Sequence, residues 1–280
     1  MPRPILISLA TLATTLLAAC DAGGPSTSAQ VSFSVATQPA AAGSTAASTA
    51  GAETFTDGND TLIITRVQLV LREIELKRLE ATSSCDGAGT DGSGSGSGSD
   101  DSGQDSSHDN CERLELGPVL LDLPLGAGGV AHSFTVPVTA GSYDEVEFKI
   151  DPASHDDAPE VAFVQAHPDL AGVSVRVDGT FNGVGFTFTT DLSAEEEIEL
   201  SPPLAVAESG TADLTLMVDL DRWFRTGAGL LVDPATANVG LANEALVEGN
   251  IRTTLHAFED ENHDGRDDHH GGADDPQPHA

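Results

Sequence analysis

Residues 173–192 constrain the fold more than any other part of the sequence. The segments VSVRVDGTF and VGFTFTTDL flank Asn182-Gly183, a dipeptide favoured in two-residue β-hairpin turns because both turn positions need positive φ. A two-residue loop at Asn182-Gly183 sets a pairing register that puts the apolar side chains of both strands on one face. A slip of one residue would move the apolar side chains of one strand to the opposite face, so the turn and the apolar pattern predict the same register. With that pair as the loop, four pairs share the apolar face: Phe181 and Val184, Gly179 and Phe186, Val177 and Phe188, Val175 and Thr190.

Other segments indicate strands, either because apolar and polar residues alternate or because short apolar runs are broken by Pro and Gly. They are residues 31–36, 114–125, 132–138, 142–150 and 214–220. About eight to ten short strands separated by turn residues predict an all-β fold, an antiparallel β-sandwich of the Ig-like or transthyretin-like type.

Residues 61–79 form the longest apolar stretch after the N-terminal segment, TLIITRVQLVLREIELKRL. Its apolar residues change parity between Leu71 and Ile74. Two interpretations remain open. Either a β-bulge at Arg72-Glu73 shifts the phase of one long strand, or the segment is partly helical. The β-branched residues at its start favour a strand.

The domain boundaries follow from composition. Residues 31–256 are predicted to be one sandwich domain, in which residues 37–60, rich in Ala, Thr, Ser and Gly, form a flexible connection. Residues 86–110 consist of Gly, Ser and Asp with no apolar cluster, and they predict a disordered insertion. Residues 257–280 read as an acidic tail rich in His and Asp.

The N-terminus has the build of a secretory signal peptide over residues 1–19, with Arg3 followed by an apolar run too short to span a bilayer. Its end, Leu-Ala-Ala-Cys20, resembles the lipobox of bacterial lipoproteins. That resemblance implies that the signal is cleaved before Cys20, that its thiol carries a diacylglyceryl group, and that residues 20–30 are a tether. The alternative is an ordinary signal with a cysteine at the cleavage point. Several acyl chains would give stable membrane anchoring.

Two further cysteines, Cys85 and Cys111, bracket the insertion. In an oxidising compartment they pair most simply with each other. The alternative, a redox or metal pair, has little support because the spacing is not CxxC.

Charge excludes some classes of partner. The chain has 45 acidic and 12 basic residues among 280, a formal net charge of −33. Nucleic acid binding needs a basic face for phosphate contacts, and a polybasic attachment to anionic lipid needs the same. The sequence therefore predicts neither.

Four segments together resemble a family of bacterial lipoproteins that is known only as a domain of unknown function with a predicted sandwich fold. They are TLIITRVQLVLREIEL, GPVLLDLPL, VTAGSYDEVEF and the strand that ends in VDLD, within residues 61–221. The resemblance implies a sandwich and no particular activity. The insertion between the cysteines departs from that family's pattern.

The tail contains a candidate calcium loop in the sequence DENHDGRDD. Alternating oxygen ligands around a turn that glycine permits, here Gly265, suit Ca²⁺. The candidate ligands are Asp260, Asn262, Asp264 and Asp268. Their spacing resembles the calcium loops of EF-hand and dockerin-like repeats, which implies a weak calcium site. Asp267 stands where those loops usually have an apolar residue, and Gly271 replaces their bidentate glutamate. The alternative is a solvated acidic tail.

Three other groups have a functional and a structural interpretation. The tail histidines, His263, His269, His270 and His279, suit loose chelation of Zn²⁺ or Cu²⁺. A loop with Asp151, His155, Asp156, Asp157 and Glu160 is either a metal site or a solvated acidic loop. Asp219 and Asp221 flank one residue at a strand end, where they are either paired carboxylates or an outward polar face.

Trp223 is the one tryptophan of the chain. Next to Phe224, it is a candidate ligand-binding residue that stacks on a sugar ring, or else a core residue that closes one end of the sandwich. The sequence has no GxSxG, HExxH, GxGxxG or P-loop motif.

These observations predict a lipid-anchored protein on the periplasmic or surface side of a bacterial cell envelope. It would act as a non-enzymatic binding or adhesion module, with calcium as the one candidate cofactor and an envelope protein or glycan as partner. The alternatives are a purely structural envelope lipoprotein and a hydrolase built on Asp219 and Asp221.

Overall fold

The computed structural model describes residues 28–38, 47–49, 51–79, 111–114, 117–126, 129–154 and 157–269. This part of the chain is mostly β-structure, with thirteen strands and two α-helices. The strands are β1 (Gln30–Thr37), β2 (Ala47–Thr49), β3 (Ala52–Thr56), β4 (Thr61–Arg78), β5 (Cys111–Leu114), β6 (Val119–Asp122), β7 (Val130–Pro137), β8 (Gly141–Ile150), β9 (Val175–Phe181), β10 (Val184–Thr190), β11 (Ala194–Val206), β12 (Thr211–Val218) and β13 (Leu255–Glu259). The helices are α1 (Ala158–Ala166) and α2 (Glu244–Arg252), and 3-10 turns occupy Pro168–Leu170, Leu220–Arg222 and Pro234–Thr236.

The strands form two sheets with a common hydrophobic core. The smaller sheet has the order β13-β12-β1-β7, and the larger has nine strands arranged around β4. The pairing is antiparallel, which confirms the all-β, sandwich-like prediction, except that β1 and β12 run parallel. A parallel neighbour is possible for β1 because the chain returns to β12 only after crossing the larger sheet.

The long strand β4 organises the larger sheet. Its first half pairs with β9 and its second half with β8, while β3, β6 and β5 lie along its other edge. Leu71 is opposite Ile150 and Glu73 is opposite Lys149, so Arg72 is an extra residue in β4. The bulge interpretation is therefore confirmed. It explains how residues of both parities, from Val67 to Leu76, are buried in one core.

The hairpin prediction is also confirmed. β9 and β10 pair in the register expected from the sequence, from Val184 with Phe181 to Thr190 with Val175. Asn182 and Gly183 have φ values of 51° and 79°, as a turn of this length requires.

The prediction that residues 37–60 form a flexible connection is wrong for residues 52–56. They form β3, which pairs with the start of β4. Phe55 is 3% exposed, and the Glu53 carboxylate accepts a 3.0 Å hydrogen bond from the Gly126 amide. The composition of this segment is typical of a loop, but burial of Phe55 and the hydrogen bond of Glu53 stabilise it as a strand.

The acidic tail was predicted to begin at residue 257, and this boundary is also wrong. Residues up to Glu259 belong to β13, and Asp260, directly after it, is fully buried. Residues 86–110 lie outside the described residues.

Candidate functional site

The outer face of the smaller sheet is built from residues that alternate with its core residues. Val31, Phe33 and Val35 of β1 point into the core, so the residues between them point outward. The parallel register with β12 places these outward residues in three rows: Ser32 with Asp213, Ser34 with Thr215, and Ala36 with Met217.

Residues 260–269, which we call the C-terminal loop, cross this outer face. One contact on each row fixes the path: His263 Nε2 lies 3.2 Å from Asp213 Oδ1, Thr215 Oγ1 donates a 3.0 Å hydrogen bond to Asp260 Oδ2, and a Cβ on Gly265 would lie 3.6 Å from Ala36 Cβ. The loop is therefore part of the folded domain, and it covers the sheet that precedes it.

Asp260 is the first residue of the loop, and it is 0% exposed. Oδ1 accepts the Asp264 amide at 3.0 Å, and Oδ2 accepts the Gly265 amide at 3.1 Å. With Thr215, three neutral groups donate to this carboxylate. No ion pair joins it to a cationic side chain of the described chain, although a buried carboxylate is costly unless positive charge offsets it.

The other three candidate ligands lie in the same loop. Asn262 Oδ1 accepts the Asp264 amide at 2.8 Å, and Asp264 Oδ1 accepts the Arg266 amide at 2.9 Å. Asp268 closes the loop, because its Oδ1 accepts from Asn262 Nδ2 at 2.9 Å and its Oδ2 from the Glu261 amide at 2.6 Å. Gly265 has φ of 75°, which agrees with the turn expected of this glycine. The structure thus brings all four side chains to one loop.

A buried hydroxyl beneath the loop makes no hydrogen bond to the described residues. Ser34 is 1% exposed and its Oγ makes no hydrogen bond within the described structure. Its register partner Thr215 contacts Asp260, so Ser34 lies on the sheet face that the C-terminal loop covers. The two other buried oxygens without hydrogen bonds, on Glu145 and Glu160, contact the cations Lys77 and Arg72.

The tail histidines serve as side-chain contacts where the structure describes them. His263 contacts Asp213, and His269 Nε2 lies 2.8 Å from Glu259 Oε2. The hydrogen bond with Glu259 raises the pKa of His269 above its usual value. The partner of His263 is in β12 and the partner of His269 is in β13. His270 and His279 lie outside the described residues.

A groove of about 770 Å³ opens between the C-terminal loop and the smaller sheet. Its walls come from the ends of β1, β12 and β13 and from the loop itself: Ala36, Thr37, Gln38, Gly129, Met217, His256, Phe258, Asp264, Gly265, Arg266 and Asp267. The sequence held no signal for this groove, because it depends on how the tail folds back over the sheet.

Trp223 is not a surface residue. It is 0% exposed, and its indole Nε1 donates a 2.9 Å hydrogen bond to Thr254 Oγ1. No sugar ring can stack on it in this structure, which corrects the proposal of a ligand-binding role. The alternative, a core residue that closes one end of the sandwich, describes its position.

Asp219 and Asp221 each contact groups in or just after the 3-10 turn that follows β12. Asp219 Oδ1 accepts the Asp221 amide at the start of a 3-10 turn, and burial raises the pKa of Asp219. Asp221 forms an ion pair with Arg225 at 2.6 Å. Both side chains hold the backbone after β12.

The acidic cluster before α1 is also built around structural contacts. Asp157 accepts the Glu160 amide at 2.8 Å and begins the helix. The buried Glu160 carboxylate contacts Arg72, the residue that bulges from β4, and Arg72 also contacts Asp151 at 2.9 Å. His155 and Asp156 lie outside the described residues.

A grid of charges on the outer face of the larger sheet was not predicted from the sequence. The register aligns seven glutamates and two lysines in three rows: Glu73, Lys149 and Glu195; Glu75, Glu147 and Glu197; Lys77, Glu145 and Glu199. Oxygens of Glu145, Glu147 and Glu197 lie within 4.8 Å of one another, and Lys77 contacts all three. Burial and the neighbouring Glu195 raise the pKa of Glu147 to about 7. The alternating charges of β8 and the repeated glutamates of β11 are the signals that could have indicated this face.

A second group with oxygens within 4.8 Å comprises Asp191, Glu244 and Glu248 near α2. Neither group includes a residue of the C-terminal loop, whose carboxylate oxygens are drawn toward backbone amides instead.

Several predicted sites cannot be placed. Cys20 and Cys85 lie outside the described residues, and only the backbone of Cys111 is described, opposite Lys77 at the start of β5. None of the helices in the described ranges is long and apolar enough to cross a membrane.

Comparison of the chain with protein-family models, curated proteins and solved structures found no match.

Proposed function

We propose that this chain is a lipid-anchored protein of a bacterial cell envelope that acts as a non-enzymatic binding module, and that its C-terminal loop binds Ca²⁺. The observation that carries the calcium proposal is the fully buried carboxylate of Asp260, which receives only neutral donors in the described structure. A divalent cation in the loop would supply the positive charge that this burial requires.

The arrangement of the remaining oxygens supports this proposal. Asp264 and Asp268 are carboxylates with about four acceptor positions each, so the hydrogen bonds they accept leave oxygen lone pairs for an ion. Hard cations such as Ca²⁺ take six to eight oxygens at about 2.3–2.6 Å in flexible geometry. The unpartnered Ser34 Oγ beneath the loop adds an independent sign that polar partners are missing here.

Bound calcium would stabilise the packing of the C-terminal loop on the smaller sheet. The loop reaches three successive rows of the outer face, and Asp260 joins it to β12 through Thr215. An ion bound by the loop would hold these contacts together, while the anchor proposed at Cys20 lies at the opposite end of the chain. Such a module would present a calcium-dependent surface to an envelope protein or glycan.

A calcium titration tests the proposal. With a dissociation constant of about 10⁻⁴–10⁻³ M, 10 mM Ca²⁺ is expected to stabilise the fold by about 1.4–2.7 kcal/mol relative to EDTA. The Asp264→Asn/Asp268→Asn double variant should abolish this gain. Glu261→Gln, an exposed change in the same loop, should retain it. Equal melting temperatures of the unmodified chain in EDTA and in Ca²⁺ would contradict the proposal.

We also propose the covalent features that the sequence predicts: lipidation of Cys20 and a disulfide between Cys85 and Cys111. Mass spectrometry of the chain from bacterial membranes should find an acylated Cys20 at the N-terminus and a peptide linked through Cys85 and Cys111. Cys20→Ala should release the chain from the membrane fraction. An unacylated N-terminus would contradict the anchor.

The fold supports a finer proposal, that the sandwich is of the Ig-like or transthyretin-like type. Two mainly antiparallel sheets with a common core are compatible with both types. An experimental structure would test this assignment, and the parallel pairing of β1 with β12 is the feature to compare.

A further inference from the structure

We propose that the groove between the C-terminal loop and the smaller sheet binds a small amphipathic molecule with a single carboxylate, and that Ca²⁺ in the loop promotes this binding. The inference extends the proposed calcium function, on which it rests. It names the ligand class and the regulation of the surface that the loop creates.

The size and floor of the groove fit an apolar body. Its volume of about 770 Å³ falls within the range of roughly 300–1,000 Å³ that is typical of small-molecule sites. Ala36 and Met217 are neighbours across β1 and β12, and Phe258 lies on the adjacent strand β13. A flexible thioether beside an aromatic ring adapts to ligands of different shape.

The loop contributes Arg266 to the same groove, and this cation has no partner among the described residues. No hydrogen bond or ion pair connects the Arg266 guanidinium to another residue of the described chain. The other arginines with described side chains each contact an acidic side chain or a backbone carbonyl: Arg66, Arg72, Arg78, Arg176, Arg222, Arg225 and Arg252. In so acidic a protein, an unpaired guanidinium in a groove is suited to a carboxylate from a ligand, which it binds in bidentate geometry.

Calcium would change the charge at this end of the groove. Arg266 lies between Asp264 and Asp267, and all three residues line the groove, where they sum to one negative charge. With Asp260 and Asp268, the other proposed carboxylate ligands, these side chains sum to three negative charges, and a bound Ca²⁺ ion would reduce that sum to one. The ion would also hold Arg266 in place, because Asp264, one of the proposed ligands, accepts the Arg266 backbone amide at 2.9 Å. An anionic ligand is therefore favoured when calcium is present.

Methionine labelling gives a direct readout. The chain has two methionines, Met1 and Met217, so ¹³C-methyl labelling reports on the floor of the groove, with Met217→Leu as the assignment variant. The probes are 4-phenylbutyrate and the uncharged 4-phenylbutan-1-ol. In 10 mM Ca²⁺, phenylbutyrate should shift the Met217 methyl signal in a saturable manner. We expect at least tenfold weaker binding for the alcohol, and for phenylbutyrate in EDTA.

Two arginine variants separate charge recognition from general effects. Arg266→Gln should reduce phenylbutyrate binding to the level of the alcohol. Arg222→Gln, which changes an arginine that is 71% exposed and does not line the groove, should bind like the unmodified chain. Both variants should keep the calcium-dependent rise in melting temperature, because neither removes a proposed calcium ligand.

The outcomes distinguish this inference from the calcium proposal. A calcium-dependent rise in melting temperature without any Met217 shift would overturn the groove and leave the calcium site. Equal affinity for the acid and the alcohol would overturn the proposed ligand class. Equal affinity for phenylbutyrate in EDTA and in Ca²⁺ would overturn the proposed regulation by calcium. Without a calcium-dependent rise in melting temperature, the calcium proposal itself fails, and this inference fails with it.

Discussion

Thr215 Oγ1 donates a 3.0 Å hydrogen bond to Asp260 Oδ2, and both side chains are fully buried. Thr215 is in the middle of a sheet, and Asp260 begins a loop that composition alone assigned to a solvated tail. This contact joins a proposed calcium ligand to the domain core, so stability of the sheet and occupancy of the loop are expected to be coupled.

Removing the hydroxyl of Thr215 should weaken that connection. Thr215→Val keeps the shape of the side chain and leaves a buried carboxylate oxygen with one donor fewer, at an expected cost of about 1–3 kcal/mol. Urea unfolding in EDTA measures the change. Thr211→Val, at an exposed position of the same strand, is the control and should have little effect. Equal loss in both variants would mean that the contact with Asp260 contributes nothing specific.

Trp223→Phe should destabilise the domain without affecting ligand binding. The change removes the hydrogen bond to Thr254 Oγ1 and leaves space in the core, for an expected loss of about 2–4 kcal/mol. Thermal unfolding measures this loss. Intrinsic fluorescence supplies a second check, because sugars added to the unmodified chain should not quench a tryptophan that solvent does not reach. Quenching by a sugar would show that Trp223 is accessible at the surface and would contradict its burial.

Gly179→Ala should be far more damaging than Gly185→Ala, although both glycines lie in the β9–β10 hairpin. A Cβ at position 179 would lie 2.0 Å from the Ile63 carbonyl oxygen, whereas at position 185 the nearest atom is 4.0 Å away. Since backbone cannot yield easily, we expect a loss of several kcal/mol at 179 and about 0.5 kcal/mol or less at 185. Chemical denaturation of both variants tests the difference, and similar stabilities would contradict the close approach of β9 to β4.

Glu147→Gln should change how stability depends on pH. Burial and Glu195 raise the pKa of Glu147 from 4.5 to about 7 in the folded chain. Between these values the folded state binds more protons than the unfolded state, so this group makes stability fall as pH rises from about 4.5 to 7, with no further change above. The variant lacks this fall, and its stability relative to the unmodified chain should increase across that window.

Unfolding curves at pH 4.5, 6 and 8 measure that difference. Glu208→Gln, an exposed change in the turn before β12, is the control. A constant difference between Glu147→Gln and the unmodified chain at all three pH values would contradict the prediction.

Local patterns were sufficient where neighbours along the chain decide the structure. The Asn182-Gly183 turn set the register of β9 and β10, and the change of parity after Leu71 indicated the bulge in β4. β11 was not recognised, because its sequence AEEEIELSPPLAV combines repeated charge with two prolines. It is nevertheless a strand of the larger sheet, where β8 supplies its pairing and its glutamates face outward.

In the candidate calcium loop, too, some features follow from neighbouring residues in the sequence and others only from the tertiary structure. Its oxygen-bearing residues and glycine are close in sequence, so their spacing was sufficient to nominate them. Ser34 and Thr215 carried no local signal. Thr215 contacts Asp260, with Ser34 opposite Thr215 in the neighbouring strand, only because β1 and β12 lie side by side and the chain turns back over them after β13.

The sequence by itself determined the strand alternation, the hairpin turn, the excess of negative charge and the spacing of the loop, because each depends on residues near one another along the chain. The tertiary structure decided that Trp223 is buried, that Asp219 and Asp221 hold a turn, and that the C-terminal loop forms one wall of a groove. These outcomes depend on which strands become neighbours. Such pairing is settled by burial of the whole core, and short segments of sequence do not encode it.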